Sequence, residues 1–240
     1  LPISVNDYTA LDVVEGCDVV VDALDSVNAR YSLNKACVEK NIPFVTGAAV
    51  GVTGQVFTVL PKKTACYHCL FPTLDEETMP TCSIEGVHPS ILSVIGGLEV
   101  HEAVDVLIGK TPKSSEKFLS IDLENLEFSS VKMFKQEECS VCGSGKKTEQ
   151  VKEEFILEEL CGRNRGKRTF SITPTSEVNL DVDGMTVIAK EKGFSVENQG
   201  DLGLSMRTND ISVSFMKRGS AVVVGTDTED EAVTLYKQLL

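Results

Sequence analysis

Two Cys-x-x-Cys pairs, Cys66 with Cys69 and Cys139 with Cys142, constrain the fold of this chain more than any other feature. Two thiolates separated by two residues can bind one ion from a tight turn. Two such turns complete a tetrahedral four-thiolate site of the closed, structural kind that zinc occupies. We therefore predict a structural Zn²⁺ that joins two segments far apart in the sequence. A thioredoxin-like redox pair and unrelated buried cysteines are the alternatives. A redox pair normally opens a helix after a strand, and neither pair has that setting in the sequence pattern.

The composition excludes several classes of partner. The 240 residues are 42% hydrophobic and carry a formal net charge of −13. A chain this acidic is poorly suited to phosphate backbones or anionic membranes, so we expect no nucleic-acid and no membrane partner. No apolar run reaches the roughly 18 residues of a membrane span. The cysteine usage, sparse and paired as for a metal, indicates a reducing, cytoplasmic setting.

The first half of the chain has the pattern of an α/β fold. Residues 17–22 form a continuous apolar run, which is typical of a strand buried on both faces of a parallel sheet. Helical spacing follows over residues 28–40, and residues 42–45 have the pattern of the next strand. Such a unit crosses over right-handed into a parallel sheet. We predict a doubly wound, Rossmann-like, mostly parallel sheet, with a further strand at residues 55–60 and a long apolar helix at residues 89–108.

The remainder of the chain has the pattern of a small second domain. Residues 143–150 are small and polar, as in a linker, and residues 151–160 have the pattern of a helix. We predict an α/β domain over residues 1–145, a linker with a helix over 146–165, and a compact α+β domain over 166–240.

Asp25 lies just beyond the first predicted strand. In open α/β sheets, ligands bind outside the carboxyl ends of the strands. A carboxylate at that place can hold Mg²⁺ on a nucleotide phosphate. The alternative is a simple helix cap, for which either Asp25 or Ser26 is suitable.

Cys82 is an unpaired cysteine in a polar, turn-rich segment shortly before the long helix. A thiolate near a helix N-terminus is stabilised, which makes the thiol a better nucleophile. The alternative is an incidental cysteine. We interpret Cys17, Cys37 and Cys161 as core or incidental residues.

Taken in order, these pieces resemble the ThiF/MoeB/HesA family, relatives of the ubiquitin-activating enzymes. The resemblance covers roughly residues 1–145 and depends on the order and spacing of several motifs. These motifs are residues 18–26 with Arg30 and Asn34, residues 43–49, residues 54–56, the two cysteine pairs, the Thr81-Cys82 segment and residues 94–103.

The resemblance implies an adenylating enzyme that uses ATP and Mg²⁺. Family members activate the C-terminal glycine of a ubiquitin-like or sulfur-carrier protein and release pyrophosphate. By resemblance, Asp25 corresponds to the aspartate that holds Mg²⁺, and the four paired cysteines to the zinc ligands. Cys82 corresponds to the cysteine that accepts the acyl group as a thioester or takes part in sulfur transfer. The resemblance also implies a carrier partner ending in Gly-Gly and a homodimer.

Two departures from the family pattern affect the expected activity. Ser26 stands where the family usually has asparagine. The glycine-rich nucleotide loop of the family precedes the segment that this chain matches, and Leu1 is not a start methionine. We therefore interpret the chain as part of a longer protein and expect it to be inactive alone. A catalytically idle, zinc-stabilised scaffold that recruits a carrier is the second hypothesis. A nicotinamide-dependent dehydrogenase is a third, which the cysteines do not support.

Overall fold

The computed structural model describes residues 4–74, 85–146, 154–160, 167–176, 178–200 and 202–240, except for the side chains of residues 198 and 199. Contacts between residues divide the chain into two compact units. One unit is Val5–Glu149, and the other combines Leu1–Ser4 with Gln150–Leu240.

The first unit is a five-stranded sheet with helices on its faces. Its elements, in chain order, are α1 (Ala10–Val14), β1 (Val20–Asp22), α2 (Val27–Lys40), β2 (Phe44–Val50), β3 (Thr53–Val59), α3 (Tyr67–Leu70), α4 (Pro89–Leu107), β4 (Lys117–Asp122) and β5 (Glu127–Lys132).

The expectation of a mostly parallel sheet is wrong for these strands. Their order is β1-β2-β3-β4-β5, and only β1 and β2 are parallel. The other three pairings are antiparallel. For β2 and β3, the reason is the length of the connection. Only Gly51 and Val52 separate β2 from β3, and a parallel crossover needs a dozen residues or more. Gly51 has a φ of +59°, which suits the tight turn.

Alternate residues of β3 pack into two different cores. Val56 packs with Ile91 and Ile95 of α4. Phe57 and Val59 pack in the larger core, which includes residues of α1, α2 and α3. The central strands are therefore covered on both faces, and helices α2 and α4 are fixed on opposite sides of the sheet.

The second unit is a six-stranded antiparallel sheet with two helices. Its elements are β6 (Phe155–Leu160), β7 (Thr169–Pro174), α5 (Val182–Glu191), β8 (Ser195–Gly200), β9 (Gly203–Arg207), β10 (Ser212–Met216), β11 (Ala221–Val224) and α6 (Glu229–Leu239). The strand order is β6-β7-β11-β10-β9-β8. The helices cover one face through a core that includes Phe170, Phe215 and Tyr236.

The expected helix over residues 151–160 is wrong at residues 155–160, which form β6. This strand pairs with β7 along its whole length, from Phe155 opposite Pro174 to Leu160 opposite Thr169. Leucine and glutamate favour helices intrinsically, but a full set of ladder hydrogen bonds outweighs that preference.

Among the described residues, no helix has the length and apolar character needed to cross a membrane.

Candidate active site and metal centre

Asp25 lies in the short loop between the carboxyl end of β1 and the start of α2, and its side chain is exposed. Ser26 is the N-cap of α2, because its hydroxyl accepts a hydrogen bond from the Ala29 N–H at 3.4 Å. Of the two suggested caps, Ser26 therefore takes this role. The Asp25 carboxylate lies where ligands of open α/β sheets bind.

A buried ion pair holds the loop that carries Asp25. Asp22, the last residue of β1, is 1% exposed. Its Oδ2 accepts a hydrogen bond from the Thr46 hydroxyl at 2.7 Å and lies 3.3 Å from Nε of Arg30. Its Oδ1 accepts from the Leu24 N–H at 2.8 Å. Burial raises the pKa of Asp22, while Arg30, Thr46 and Leu24 each counteract that rise.

Arg30 contacts the same loop from the other side. Its Nη2 donates to the Leu24 carbonyl at 2.6 Å, and its Nε lies 3.3 Å from the same oxygen. Both backbone polar groups of Leu24 are therefore fixed, one by Asp22 and one by Arg30. The residue next to Asp25 cannot move without breaking these bonds, so the Asp25 carboxylate is presented from a preorganised loop.

A second buried acid, Glu99 of α4, lies beside this ion pair. It is 7% exposed, and its Oε1 has no hydrogen-bond partner among the residues that the structure describes. Burial raises its pKa to about 7, and the negative charge of Asp22 adds to that rise. Arg30 and the Gly47 N–H act in the opposite direction.

The four paired cysteines converge on one point. Their sulfur atoms all lie within 4.8 Å of one another. The distances are 3.8 Å for Cys66–Cys69, 3.7 Å for Cys66–Cys139 and 3.3 Å for Cys69–Cys142. A disulfide requires about 2.05 Å. Sulfurs around a tetrahedral zinc, with bonds of about 2.3 Å, lie about 3.8 Å apart.

The second cysteine pair lies in a tight turn that only glycine permits. The Gly143 N–H donates to the Cys139 carbonyl at 3.0 Å, and the Cys142 N–H lies 3.5 Å from the Cys139 sulfur. A Cβ at Gly143 would lie 2.3 Å from the Glu137 carbonyl oxygen. This turn aims the sulfurs of the second pair at the first pair.

The first pair has a helical setting that the sequence pattern did not show. Cys66 is the N-cap of the one-turn helix α3, so the expectation that neither pair opens a helix is wrong for it. The sulfurs of the first pair nevertheless face those of the second pair, Cys66 facing Cys139 and Cys69 facing Cys142.

The pKa values of three of these thiols are shifted in different directions. The pKa of Cys69 is lowered to about 4, chiefly because the Cys66 thiol donates a hydrogen bond to it. Donating that hydrogen bond and burial both raise the pKa of Cys66. Burial, with the Cys69 hydrogen bond, raises the pKa of Cys142 to about 12. A cation that replaced these protons would relieve the conflict, since metal binding requires thiolates.

Cys82 lies outside the described residues, as does Cys161. The chain on either side of residues 75–84 is anchored. The Tyr31 hydroxyl donates to the Phe71 carbonyl at 2.6 Å and accepts from the Leu74 N–H at 3.1 Å. On the other side, the Gly51 N–H donates to the Gly86 carbonyl at 2.9 Å.

The two other described cysteines, Cys37 and Cys17, differ in their exposure to solvent. Cys37 is buried, as expected, and burial raises its pKa to about 12. Cys17 is exposed, so of the two interpretations, core or incidental, the core one is wrong for it. The strand begins only at Val20, and Cys17 precedes it in the turn after α1.

Sequence reasoning missed Glu99 as a site residue and gave Asp22 no role of its own. A signal existed for each. Asp22 ends an apolar strand only three positions before Asp25, and Glu99 interrupts the apolar pattern of the long helix. Neither signal shows that both carboxyl groups are under the electrostatic influence of Arg30.

Comparison with known proteins agrees with this architecture. The ThiF family model matches residues 2–141. The sulfur carrier protein ThiS adenylyltransferase of Bacillus subtilis is 30% identical over 97% of this chain and 68% of its own length. The adenylyltransferase and sulfurtransferase MOCS3 of Culex quinquefasciatus is 27% identical over 95% of this chain and 54% of its own length. The SAMP-activating enzyme E1 of Haloferax volcanii is 36% identical over 56% of this chain and 50% of its own length.

Solved structures share the fold. The crystal structure of E. coli MccB with MccA-N7isoASN matches with a TM-score of 0.52 and 24% identity, over 60% of this chain and 46% of that one. The chain spans about half the length of several relatives it matches.

The fold and the comparisons define an α/β protein of the class that includes adenylyltransferases for small carrier proteins. The chain belongs to the ThiF family.

Proposed function

We propose that the intact protein adenylates the C-terminal glycine carboxylate of a ubiquitin-like or sulfur-carrier protein with ATP and releases pyrophosphate. The observation that carries this proposal is the exposed Asp25 at the carboxyl end of β1, on a loop held by Asp22 and Arg30. The names of the relatives that match supply the reaction class.

In this proposal, Asp25 supplies a hard oxygen ligand for Mg²⁺, which when bound would neutralise charge on the ATP phosphates. The chain's own contribution is position. Asp22 and Arg30 fix Leu24, so the adjacent carboxylate needs little reorganisation when the nucleotide arrives.

We also propose that Cys66, Cys69, Cys139 and Cys142 hold one structural Zn²⁺. The support is the four converging sulfurs at spacings that suit a tetrahedral site. The ion would join α3 to the turn that follows β5, and it would stabilise the fold without entering the reaction.

Cys82 is the proposed acceptor for the activated group. Its thiolate would attack the carbonyl carbon of the acyl-adenylate, so that a C–S bond forms and the C–O bond to AMP breaks, with AMP as the leaving group. Sulfur transfer through the same thiol is the other form of this proposal. The support is the resemblance of the Thr81-Cys82 segment to the family.

Carrier-dependent ATP–pyrophosphate exchange by the intact protein tests the role of Asp25. We expect Asp25→Asn to abolish most of the exchange while the fold persists, because a charged Mg²⁺ ligand is lost. Asp18→Asn is the matched control, since Asp18 is an exposed aspartate two residues before the start of the same strand. Near-normal exchange by Asp25→Asn would overturn the assignment.

A catalytically idle scaffold that recruits a carrier is the second candidate. The observation that favours it is Ser26, which stands where the resemblance leads us to expect asparagine. A scaffold would bind the carrier equally well with and without ATP·Mg²⁺, and it would show no exchange. A homodimer, which the resemblance implies, is compatible with either function.

A further inference from the structure

We propose that Asn34 and Gln136 are positioning residues of the cysteine centre. Their side-chain amides hold the two ends of the short helix α3, so that the sulfurs of Cys66 and Cys69 are in place before a metal binds. This inference rests on the proposed Zn²⁺ site, and it assigns to that site two residues that are not ligands.

Helix α3 is too short to hold the first cysteine pair in place by itself. It has four residues, and isolated helices shorter than roughly 12 residues are marginal in water. Its N-cap is Cys66, whose side chain makes no capping hydrogen bond. The Cys66 sulfur lies instead among the other sulfurs of the cluster. The first N–H groups and the last carbonyl groups of α3 therefore need partners from other parts of the fold.

Asn34 of α2 is the partner at the N-terminal end of α3. Its Oδ1 accepts the N–H of Tyr67, the residue directly after Cys66, at 2.9 Å. Asn34 is 0% exposed, and its Nδ2 has no hydrogen-bond partner among the described residues, so the bond to Tyr67 is the contribution of this buried amide. Tyr31, on the same side of α2, donates its hydroxyl to the carbonyl of Phe71, the C-cap of α3. Helix α2 thus holds α3 at both ends.

Gln136 contacts both cysteine pairs. Its Nε2 donates to the Cys69 carbonyl at 3.0 Å, and this carbonyl is one of those that a helix end leaves without a partner. The Gln136 main-chain N–H lies 3.5 Å from the Cys69 sulfur. Its carbonyl accepts the Cys139 N–H at 3.2 Å. A single residue therefore connects a ligand of the first pair to a ligand of the second.

The hydrogen bonds of Asn34 and Gln136 join protein groups to each other and need no ligand. The fold itself therefore brings the sulfurs of the two pairs together. An ion that binds to sulfurs already in position gains affinity, because little reorganisation is needed. Removing a residue that orients metal ligands typically weakens metal binding by about 10- to 100-fold.

The test is the Zn²⁺ affinity of the intact protein, measured by competition with a chromophoric chelator. We expect Asn34→Ala and Gln136→Met each to weaken Zn²⁺ binding by about 10- to 100-fold. Gln136→Met keeps a side chain of similar length and removes the hydrogen-bond donor. Asn6→Ala is the matched control, because Asn6 is also a buried asparagine whose Oδ1 accepts backbone N–H groups, and these groups lie near the start of α1. This variant should bind Zn²⁺ as tightly as the unchanged protein.

Equal Zn²⁺ affinity in the unchanged protein and in all three variants would overturn the inference and leave the proposed metal site standing. A loss of affinity that Asn6→Ala shares would also overturn it, because the loss would then reflect the stability of the whole unit. If Asn34→Ala fails to fold, Gln136→Met decides the question, since Gln136 is exposed and its replacement leaves no cavity. An unchanged protein that binds no Zn²⁺ would overturn the proposed metal site together with this inference.

Discussion

Asp22 and Asp25 show how environment assigns different tasks to the same residue type. Asp22 is buried, and both of its carboxylate oxygens are engaged, by the Thr46 hydroxyl, the Arg30 guanidinium and the Leu24 N–H. Asp25, three positions later, is exposed and available to a ligand. The sequence alone made Asp25 a candidate, because strand ends in α/β sheets bind ligands. It could not identify the supporting network, since Arg30 and Thr46 reach Asp22 only through the packing of α2 and β2.

At the same scale, Glu99→Gln should change how stability depends on pH. The folded chain holds the Glu99 proton more tightly than the unfolded chain, with a pKa of about 7 against an ordinary 4.5. The contribution of protonated Glu99 to the free energy of unfolding is therefore complete below about pH 4.5. It is lost as the pH rises through 7, and the loss amounts to up to about 3 kcal/mol. Urea unfolding of both proteins at pH 5 and pH 8 measures it. Between pH 5 and pH 8, the free energy of unfolding should fall more in the unchanged protein than in the variant. An equal pH dependence in the two proteins would contradict this expectation.

At the scale of the elements, one glycine of β2 and one glycine of α4 differ in the space around them. A Cβ at Gly47 of β2 would lie 2.6 Å from Ile95 Cγ2 of α4, whereas a Cβ at Gly96 of α4 would meet nothing within 4 Å. Gly47→Ala should therefore lower the free energy of unfolding by about 1–3 kcal/mol through overpacking. Gly96→Ala should raise it by up to about 1 kcal/mol through helix propensity. Denaturant titrations measure both, and equal effects would contradict the packing of α4 on β2.

The cysteine cluster joins two elements that no strand pairing connects, α3 and the turn after β5. We expect purified protein to contain about one zinc per chain. Chelation or Cys139→Ser should lower the melting temperature of the unit Val5–Glu149. Cys37→Ser, which alters a buried cysteine outside the cluster, is the control for zinc content and should leave it unchanged. A chain without metal, or one with disulfides in both pairs under reducing conditions, would contradict the zinc site.

The elements also show where sequence patterns stop being informative. The helices α2 and α4 followed from apolar spacing, and their observed bounds differ from the predicted ones by one residue. The antiparallel strands β2 and β3 could have been recognised from the two-residue connection at Gly51. β6 could not, because Phe155–Leu160 combines apolar and acidic residues that suit a helix equally well, and only its pairing with β7 makes it a strand.

For the molecule as a whole, the cysteines should differ in reactivity. Burial would protect Cys37, and zinc would protect four others. Of the other three, we expect Cys82 to react first with a mild alkylating agent, because a thiolate shortly before a helix N-terminus is stabilised. Exposed Cys17 is one competitor, and Cys161 is the other by elimination. Peptide mapping after brief alkylation ranks these three cysteines by their rate of modification. The same mapping in a Cys17→Ser variant removes one competitor. Modification of Cys161 or Cys17 first, with Cys82 untouched, would remove the support for Cys82 as the nucleophile.

The central claim is that the intact protein activates the C-terminus of a small carrier protein. The most direct measurement is exchange of labelled pyrophosphate into ATP in the presence of a β-grasp carrier that ends in Gly-Gly, compared with the same carrier lacking its last glycine. We expect exchange that requires Mg²⁺ and the complete carrier, because only a correctly placed carboxylate can accept AMP. Exchange that proceeds equally with the shortened carrier, or a protein that binds the complete carrier but supports no exchange, would contradict it.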